Sequence, residues 1–252
     1  SFQILAHGLT VPAVGIEGLK VEAINSKVAR YWSVSVMEET TSTQSELIRQ
    51  FQPGKVLIAE YQSAGRGRLD RKFDSNKFLG LTFSFVLTPK IERKYWGIYP
   101  LLIGSSIANT LTKFTNIELK TKWPNDLLVN GKKLAGILSE KNSNGVIVGV
   151  GINIFQTQEE LPIENAVSLS MFGEVDRSEL LISILNELGA ALSNLAQHKN
   201  EYRSKCATLG MKVRATLPSG EVIEDEAIAI SDDGALLLNS REISVGDILH
   251  LR

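Results

Sequence analysis

The sequence is poor in cysteine and histidine, with only Cys206 and three histidines in 252 residues. A single cysteine excludes an intrachain disulfide and is typical of a reducing compartment, so we expect a cytoplasmic protein. The same scarcity excludes a structural zinc site with the usual ligand spacing. Apolar runs are too short to span a bilayer, and the first residues lack the pattern of a secretion signal, so no membrane association is expected.

An excess of charge of either sign is also absent. Lys and Arg number 27 against 28 Asp and Glu, for a formal net charge of −1. This balance argues against a general polyanion-binding surface, so a nucleic-acid role would need a local basic patch. Hydrophobic residues make up 43% and charged residues 22%, which is ordinary for a globular protein. The length predicts one sizeable core with a small appended module.

Hydrophobic periodicity divides the chain into three parts. Residues 1–30 show weak periodicity and predict a short N-terminal extension. Residues 31–208 mix helices and hairpins, including a capped helix from Ser42, a core helix over Tyr95–Phe114 and an Asn130-Gly131 hairpin turn. We predict an α+β catalytic domain there. Residues 209–252 have short alternating strands broken by Pro and Gly, which predict a small barrel.

The segment Gly65–Arg71, GRGRLDR, follows a buried strand and has no hydrophobic anchor. Its alternating glycines let the backbone approach a ligand closely, and its three arginines can pair with phosphate or carboxylate. A solvated basic loop is the alternative, but such a loop seldom needs this density of Gly and Arg. The segment matches neither a Walker loop nor a dinucleotide fingerprint.

Three later segments also carry polar or glycine-rich patterns. KWPND at Lys122–Asp126 offers an aromatic face, an amide and a carboxylate, although a turn with a core tryptophan explains it equally well. Lys133 begins KLAGIL at the start of a strand, where lysines are usually just solvated. GVGIN at Gly149–Asn153 places glycines inside a strand, where they weaken the sheet unless a ligand approaches closely.

Together with TSTQ at Thr41–Gln44 and QSAGRGR at Gln62–Arg68, these segments resemble the biotin-protein ligases, in the same order along the chain. The resemblance extends to the small C-terminal barrel. It implies a catalytic domain like that of class II aminoacyl-tRNA synthetases, with a mixed sheet, followed by an SH3-like β-barrel. It also implies formation of biotinyl-adenylate from biotin and ATP with Mg²⁺, and transfer of biotin to a lysine of the biotin carboxyl carrier protein of acetyl-CoA carboxylase.

The resemblance also assigns roles to individual residues. Catalytic roles fall to Arg68 and Lys133. Biotin binding falls to Ser42, Thr43, Gln44, Gln62, Gly65, Arg66, Gly67, Arg68, Lys133 and Gly136. ATP binding falls to Arg68, Arg71, Trp123, Asn125, Asp126, Lys133 and Asn153, and Asp126 is also the candidate Mg²⁺ ligand.

The chain departs from the family pattern at three positions. Asp70 stands where the loop motif has glycine, Phe73 replaces its tryptophan, and Gln44 stands where asparagine is common. Residues 1–30 are too short for the winged helix-turn-helix of some members, so we expect no operator binding by this chain. The resemblance leaves open a monomer or a homodimer.

Two other functions stay open from the sequence. A lipoate-protein ligase would share the fold and the adenylation chemistry but usually lacks the GRGR loop. A non-enzymatic nucleotide- or RNA-binding module would use the basic loop to contact phosphate. The balanced charge and the absence of a paired aromatic platform count against that module.

Overall fold

A computed structural model of the chain describes residues 18–68, 73, 77–192 and 195–251. Its larger sheet has seven strands in the order β1-β2-β3-β7-β6-β5-β4. Strands β1 and β2 are parallel and the other neighbours are antiparallel, so the sheet is mixed as predicted. The strands are β1 Ser33–Thr40, β2 Lys55–Gln62, β3 Gly80–Leu87, β4 Leu119–Lys122, β5 Asp126–Val129, β6 Lys132–Lys141 and β7 Val146–Asn153.

Helices cover both faces of this sheet. Helix α2 (Thr43–Arg49) packs through Leu47 on one face, against alternate residues of β2, β3 and β7. Helices α3 (Tyr99–Thr115) and α4 (Arg177–Ala191) cover the other face. There they pack in the larger core against the intervening residues of the same strands. Helices α1 (Val21–Lys27) and α5 (Leu195–Lys205) complete the set. This layering agrees with the α+β prediction, whereas the likeness to class II synthetases stays a prediction.

Local signals placed several elements correctly and missed some boundaries. Ser42 caps α2 by accepting from the Ser45 amide, and Asn130 and Gly131 both have positive φ in the hairpin turn. The predicted core helix begins later, because a 3₁₀ segment at Arg93–Ile98 precedes α3. The sequence of β3 alternates between large apolar residues and small or polar ones, which is typical of a strand with one exposed face. Both of its faces are instead buried, since helices lie on both sides.

A second, antiparallel sheet follows the first along the chain, with the strand order β11-β10-β9-β8-β12. Its strands are β8 Lys212–Thr216, β9 Val222–Ile230, β10 Leu236–Leu238, β11 Glu242–Ile243 and β12 Asp247–His250. A small all-β module was predicted for this part of the chain. Its closure into an SH3-like barrel and the boundary at residue 209 stay predictions.

Specific contacts attach the second sheet to the first. The Trp123 indole Nε1 donates to the Gly234 carbonyl at 3.0 Å, and the Trp123 amide donates to Thr208 Oγ1 at 3.1 Å. A Cβ at Gly97 would lie 2.2 Å from the Asp233 carbonyl oxygen, so only glycine permits this approach. The second sheet is therefore held beside the segment Lys122–Asp126.

The predicted N-terminal extension lies mostly outside the described residues, which start at residue 18. Its described part contains α1, a helix of seven residues. Across residues 18–68, 73, 77–192 and 195–251, no helix combines the length and apolar character needed to cross a bilayer.

Candidate functional site

A cavity of about 460 Å³ opens on the larger sheet and extends to the second sheet. It collects the predicted polar segments: the start of α2, the end of β2, residues 66–68, Lys122–Asp126 and the paired strands β6 and β7. It also includes side chains of β8 and β12. Thirteen of the predicted site residues line it: Ser42, Thr43, Gln44, Gln62, Arg66, Gly67, Arg68, Trp123, Asn125, Asp126, Lys133, Gly136 and Asn153. Phe73, from the loop motif, lines it as well.

One end of the cavity is lined by hydroxyl and amide groups. Gln62 Oε1 accepts from the Thr43 amide at 2.8 Å and from the Thr43 hydroxyl at 3.0 Å. Thr43 Oγ1 lies 2.7 Å from Ser84 Oγ, so three side chains share one hydrogen-bond chain. Because Gln62 Oε1 accepts both hydrogen bonds from Thr43, the orientation of the Gln62 side-chain amide is fixed. This end can recognise a neutral polar group by directed hydrogen bonds.

Glycines in β7 make room for side chains at this end of the cavity. A Cβ at Gly149 would lie 2.9 Å from Gln44 Oε1, and a Cβ at Gly151 would lie 2.3 Å from Phe73 Cζ. The aromatic ring that replaces the family's tryptophan therefore lies directly over a glycine. A ligand was predicted to approach the glycines of GVGIN, whereas in the structure the side chains of Gln44 and Phe73 approach them.

The other end of the cavity is charged. Lys133 Nζ lies 2.7 Å from Asp126 Oδ1, with both side chains partly exposed. Burial lowers the pKa of Lys122 below its ordinary 10.5, and the charge of Lys133 lowers it further, whereas Asp126 and Asp247 oppose this shift. Two lysines and two carboxylates thus face the same space.

Two loop arginines also line the cavity. Arg66 pairs with Glu140 at 3.1 Å, and Arg68 donates to the Gly246 carbonyl at 3.3 Å, next to β12. Gly65 precedes them, and a Cβ there would lie 2.3 Å from the Phe73 carbonyl oxygen, so glycine is required. The predicted residues Asp70 and Arg71 lie outside the described residues.

Three residues predicted to bind the nucleotide have structural partners as well. The Trp123 side chain is 1% exposed and bonded to the second sheet, so its ring faces are packed. Asn125 Nδ2 donates to Ile137 O, and Asn153 Nδ2 donates to Val167 O. The geometry favours a core role for Trp123, the alternative that its sequence context had left open. Its contact with a nucleotide stays a prediction.

Sequence reasoning missed several cavity residues. Lys122 is the first residue of the KWPND motif, but the sequence gives it no role. Ser84 had no signal beyond a small polar residue in an otherwise apolar strand. Arg214, Thr216 and Asp247 come from the second sheet, where no local motif marks them. They reach the cavity only because that sheet packs beside Lys122–Asp126.

His250, in β12, links the second sheet to this region through Thr208. Thr208 Oγ1 accepts from the Trp123 amide and lies 3.1 Å from His250 Nε2. Donating the threonine proton to Nε2 satisfies both groups when the imidazole is neutral. Burial, and secondarily the charge of Lys122, lower the pKa of His250 below 6.5.

This shift predicts a pH-dependent stability. Between the lowered folded pKa and the unfolded value near 6.5, the unfolded chain binds more protons, so stability falls as the pH drops through that window. His250→Gln keeps an acceptor for Thr208 and does not titrate. We expect the wild-type free energy of unfolding to fall relative to the variant from pH 7.5 to 5, as measured by denaturant titration. Parallel pH profiles would contradict the assignment.

Comparison with known proteins agrees with this geometry. Residues 34–154 match the model of the biotin/lipoate A/B protein ligase family. The biotin–[acetyl-CoA-carboxylase] ligase of Mycobacterium tuberculosis is 33% identical, over 87% of this chain and 89% of that protein. The chain belongs to the biotin/lipoate A/B protein ligase family. The bifunctional ligase/repressor BirA of Bacillus subtilis is 31% identical, over 89% of this chain and 73% of its own length.

Solved structures of the family share the fold. The biotin protein ligase of Aquifex aeolicus in complex with biotin and ATP superposes with a TM-score of 0.74 at 32% identity. The match covers 87% of this chain and 99% of that one. The chain therefore shares the fold of a family member whose structure holds both ligands.

Proposed function

We propose that this protein is an ATP-dependent biotin protein ligase. One observation carries the proposal: a single cavity joins the hydrogen-bonding end around Thr43 and Gln62 to the charged end around Lys122, Lys133 and Arg68. A ureido ring suits the first end, and a carboxylate beside a triphosphate suits the second. The family membership and the named relatives support the same activity.

Two steps make up the proposed reaction. A biotin carboxylate oxygen attacks the α-phosphorus of ATP, and the bond to the leaving pyrophosphate breaks to give biotinyl-adenylate. A neutral lysine amine of the acceptor then attacks the acyl carbon, AMP leaves with the electron pair of the broken C–O bond, and the amine loses a proton. The acceptor proposed is the biotin carboxyl carrier protein of acetyl-CoA carboxylase, in the cytoplasm.

Positive charge has to offset two anions that would otherwise repel each other. Among the described residues, five cationic side chains line the cavity against two carboxylates. Lys133 and Arg68 are proposed to hold the biotin carboxylate and the α-phosphate where they react, which acts through positioning and electrostatics without an enzyme nucleophile. Arg66 and Gly67 are proposed to line the biotin side, with Ser42, Gln44, Gly65 and Gly136.

A Mg²⁺ ion that enters with ATP is part of the proposal. Around the cavity, as elsewhere in the described ranges, no three His, Cys, Asp or Glu side chains are grouped to hold a metal. Asp126 Oδ1 is buried beneath the Lys133 ammonium and makes no well-angled hydrogen bond. That oxygen fits an ion already held by phosphates, because Mg²⁺ at nucleotide sites needs few protein ligands.

A pyrophosphate exchange assay tests the function. Labelled pyrophosphate is expected to enter ATP when biotin is present, because adenylation is reversible, and not when lipoate replaces biotin. The same protein with ATP alone is the control. Exchange with lipoate in place of biotin would assign the sister activity, and no exchange with either acid would overturn the proposal.

A further inference from the structure

A buried ion pair lies just outside the cavity lining. Arg177, the first residue of α4, brings Nη1 to 2.6 Å and Nη2 to 3.3 Å from the two carboxylate oxygens of Glu60 in β2. The side chains are 2% and 3% exposed. Desolvation offsets much of the attraction in such pairs, and apolar replacements are often as stable. The pair therefore calls for a role beyond stability.

The pair lies where β2 and β3 separate. Register pairing between these strands ends at Ala59 and Thr82, whereas β2 continues to Gln62 and β3 begins at Gly80. Arg177 Nη1 also donates to the Gly80 carbonyl oxygen at 3.1 Å. One guanidinium thus links the two strands beyond the last residues that their own ladder joins.

Both diverging strand ends carry residues of the cavity. Gln62 lies two positions beyond Glu60 and accepts two hydrogen bonds from Thr43. Thr82 lies two positions beyond Gly80 and also lines the cavity. Residues on both sides of the point where the two strands separate thus line the cavity.

The segment before the first sheet meets the same carboxylate. The Leu19 amide donates to Glu60 Oε1 at 3.0 Å, so three parts of the chain converge on this group. On the β2 side, the Glu60 main-chain oxygen accepts from the Phe78 amide at 3.3 Å. Phe78 is itself a strained position, with a φ of 66°. Glu60 thus contacts Leu19 and Arg177 through its carboxylate, and Phe78 through its main chain.

We infer that Glu60 and Arg177 form a positioning pair that sets the separation of β2 and β3 and thereby holds Gln62 in place for the acid substrate. This inference rests on the proposed function for its substrate. The pair does not touch the cavity, so its effect reaches the ligand only through the strand ends. Small displacements of positioning groups can cost substantial activity.

Two variants test the pair. Arg177→Lys keeps the charge but cannot span both Glu60 and Gly80, and the double variant Glu60→Leu/Arg177→Met removes both buried charges so that neither is left unpaired. We expect both to raise KM for biotin in pyrophosphate exchange by about 10-fold or more. Hydrogen exchange of the Phe78 and Thr43 amides, which bond to Glu60 and Gln62, is expected to accelerate.

Leu185→Ala in α4 is the matched control for lost stability, since Leu185 is fully buried in the core. It should lower the unfolding midpoint without changing KM or the exchange of the Phe78 and Thr43 amides. A double variant that folds with wild-type KM and wild-type exchange at those amides would overturn the inference. Failure of the proposed function would instead abolish biotin-dependent activity in the wild-type protein.

Discussion

Replacement of Lys133 by glutamine is expected to slow biotin-dependent pyrophosphate exchange by about 10²- to 10³-fold, the usual effect of removing one preorganised electrostatic contact. Glutamine keeps a donor on a side chain that is one atom shorter, but loses the charge that lies 2.7 Å from Asp126. The loss should fall on kcat and leave the affinity for ATP less affected, because the lysine is proposed to act on the reacting carboxylate and α-phosphate, where the transition state differs from bound ATP.

The neighbouring lysine provides the control. Lys132 is exposed at the start of β6, and Lys132→Gln removes the same charge from the same strand. Alternation along the strand directs it to the opposite side. Wild-type exchange rates in Lys132→Gln with a large loss in Lys133→Gln would assign the effect to the cavity. Equal rates in both variants would remove Lys133 from the reaction.

The sequence was informative where chemistry is local. Ser42 at the start of α2 and the turn at Asn130 and Gly131 depend on interactions within a few residues, and the structure has both. The cavity residues of α2, β2, β6 and β7 were grouped correctly because each lies in a short motif. The order of these motifs along the chain carries the resemblance to the family, which no single motif carries alone.

Long-range contacts account for what the sequence could not reveal. Trp123 had equal prospects as a stacking face or a core residue, and its partner, Gly234, lies 111 positions away. Arg214 and Asp247 line the cavity only through the packing of the second sheet. The Glu60–Arg177 pair joins residues 117 positions apart. No periodicity in the sequence predicts which charged residues form such a buried pair.

Both faces of β3 are buried for a similar reason. Alternation predicts one buried face when a sheet is covered on one side, whereas α2 and the α3–α4 layer cover this sheet on both sides. Thr82 and Ser84 on the α2 side are consequently buried polar residues. Their burial marks the floor of the cavity, and only the placement of α2 identifies it.

Arg68→Gly is expected to release biotinyl-adenylate from the enzyme about 10- to 100-fold faster, which corresponds to the loss of a charge-assisted hydrogen bond worth roughly 1.5–3 kcal/mol. Arg68 lines the cavity and also donates to Gly246 at the edge of the second sheet. Its removal therefore loses a cation at the ligand and a contact between the two sheets. Release of preformed labelled intermediate, chased with unlabelled biotin and ATP, measures the rate.

Lys77→Gly separates this effect from added backbone freedom. Lys77 lies before β3 at the other end of the same inter-strand segment, is exposed, and pairs with Glu38 away from the cavity. Lys77→Gly should retain the intermediate like the wild type. Arg68→Gly should also biotinylate lysines of bystander proteins, because free adenylate acylates amines in solution. Slow release from Arg68→Gly, at the rate of Lys77→Gly, would mean that the guanidinium does not hold the intermediate. Retention would then depend on other cations that line the cavity, such as Lys122 and Lys133.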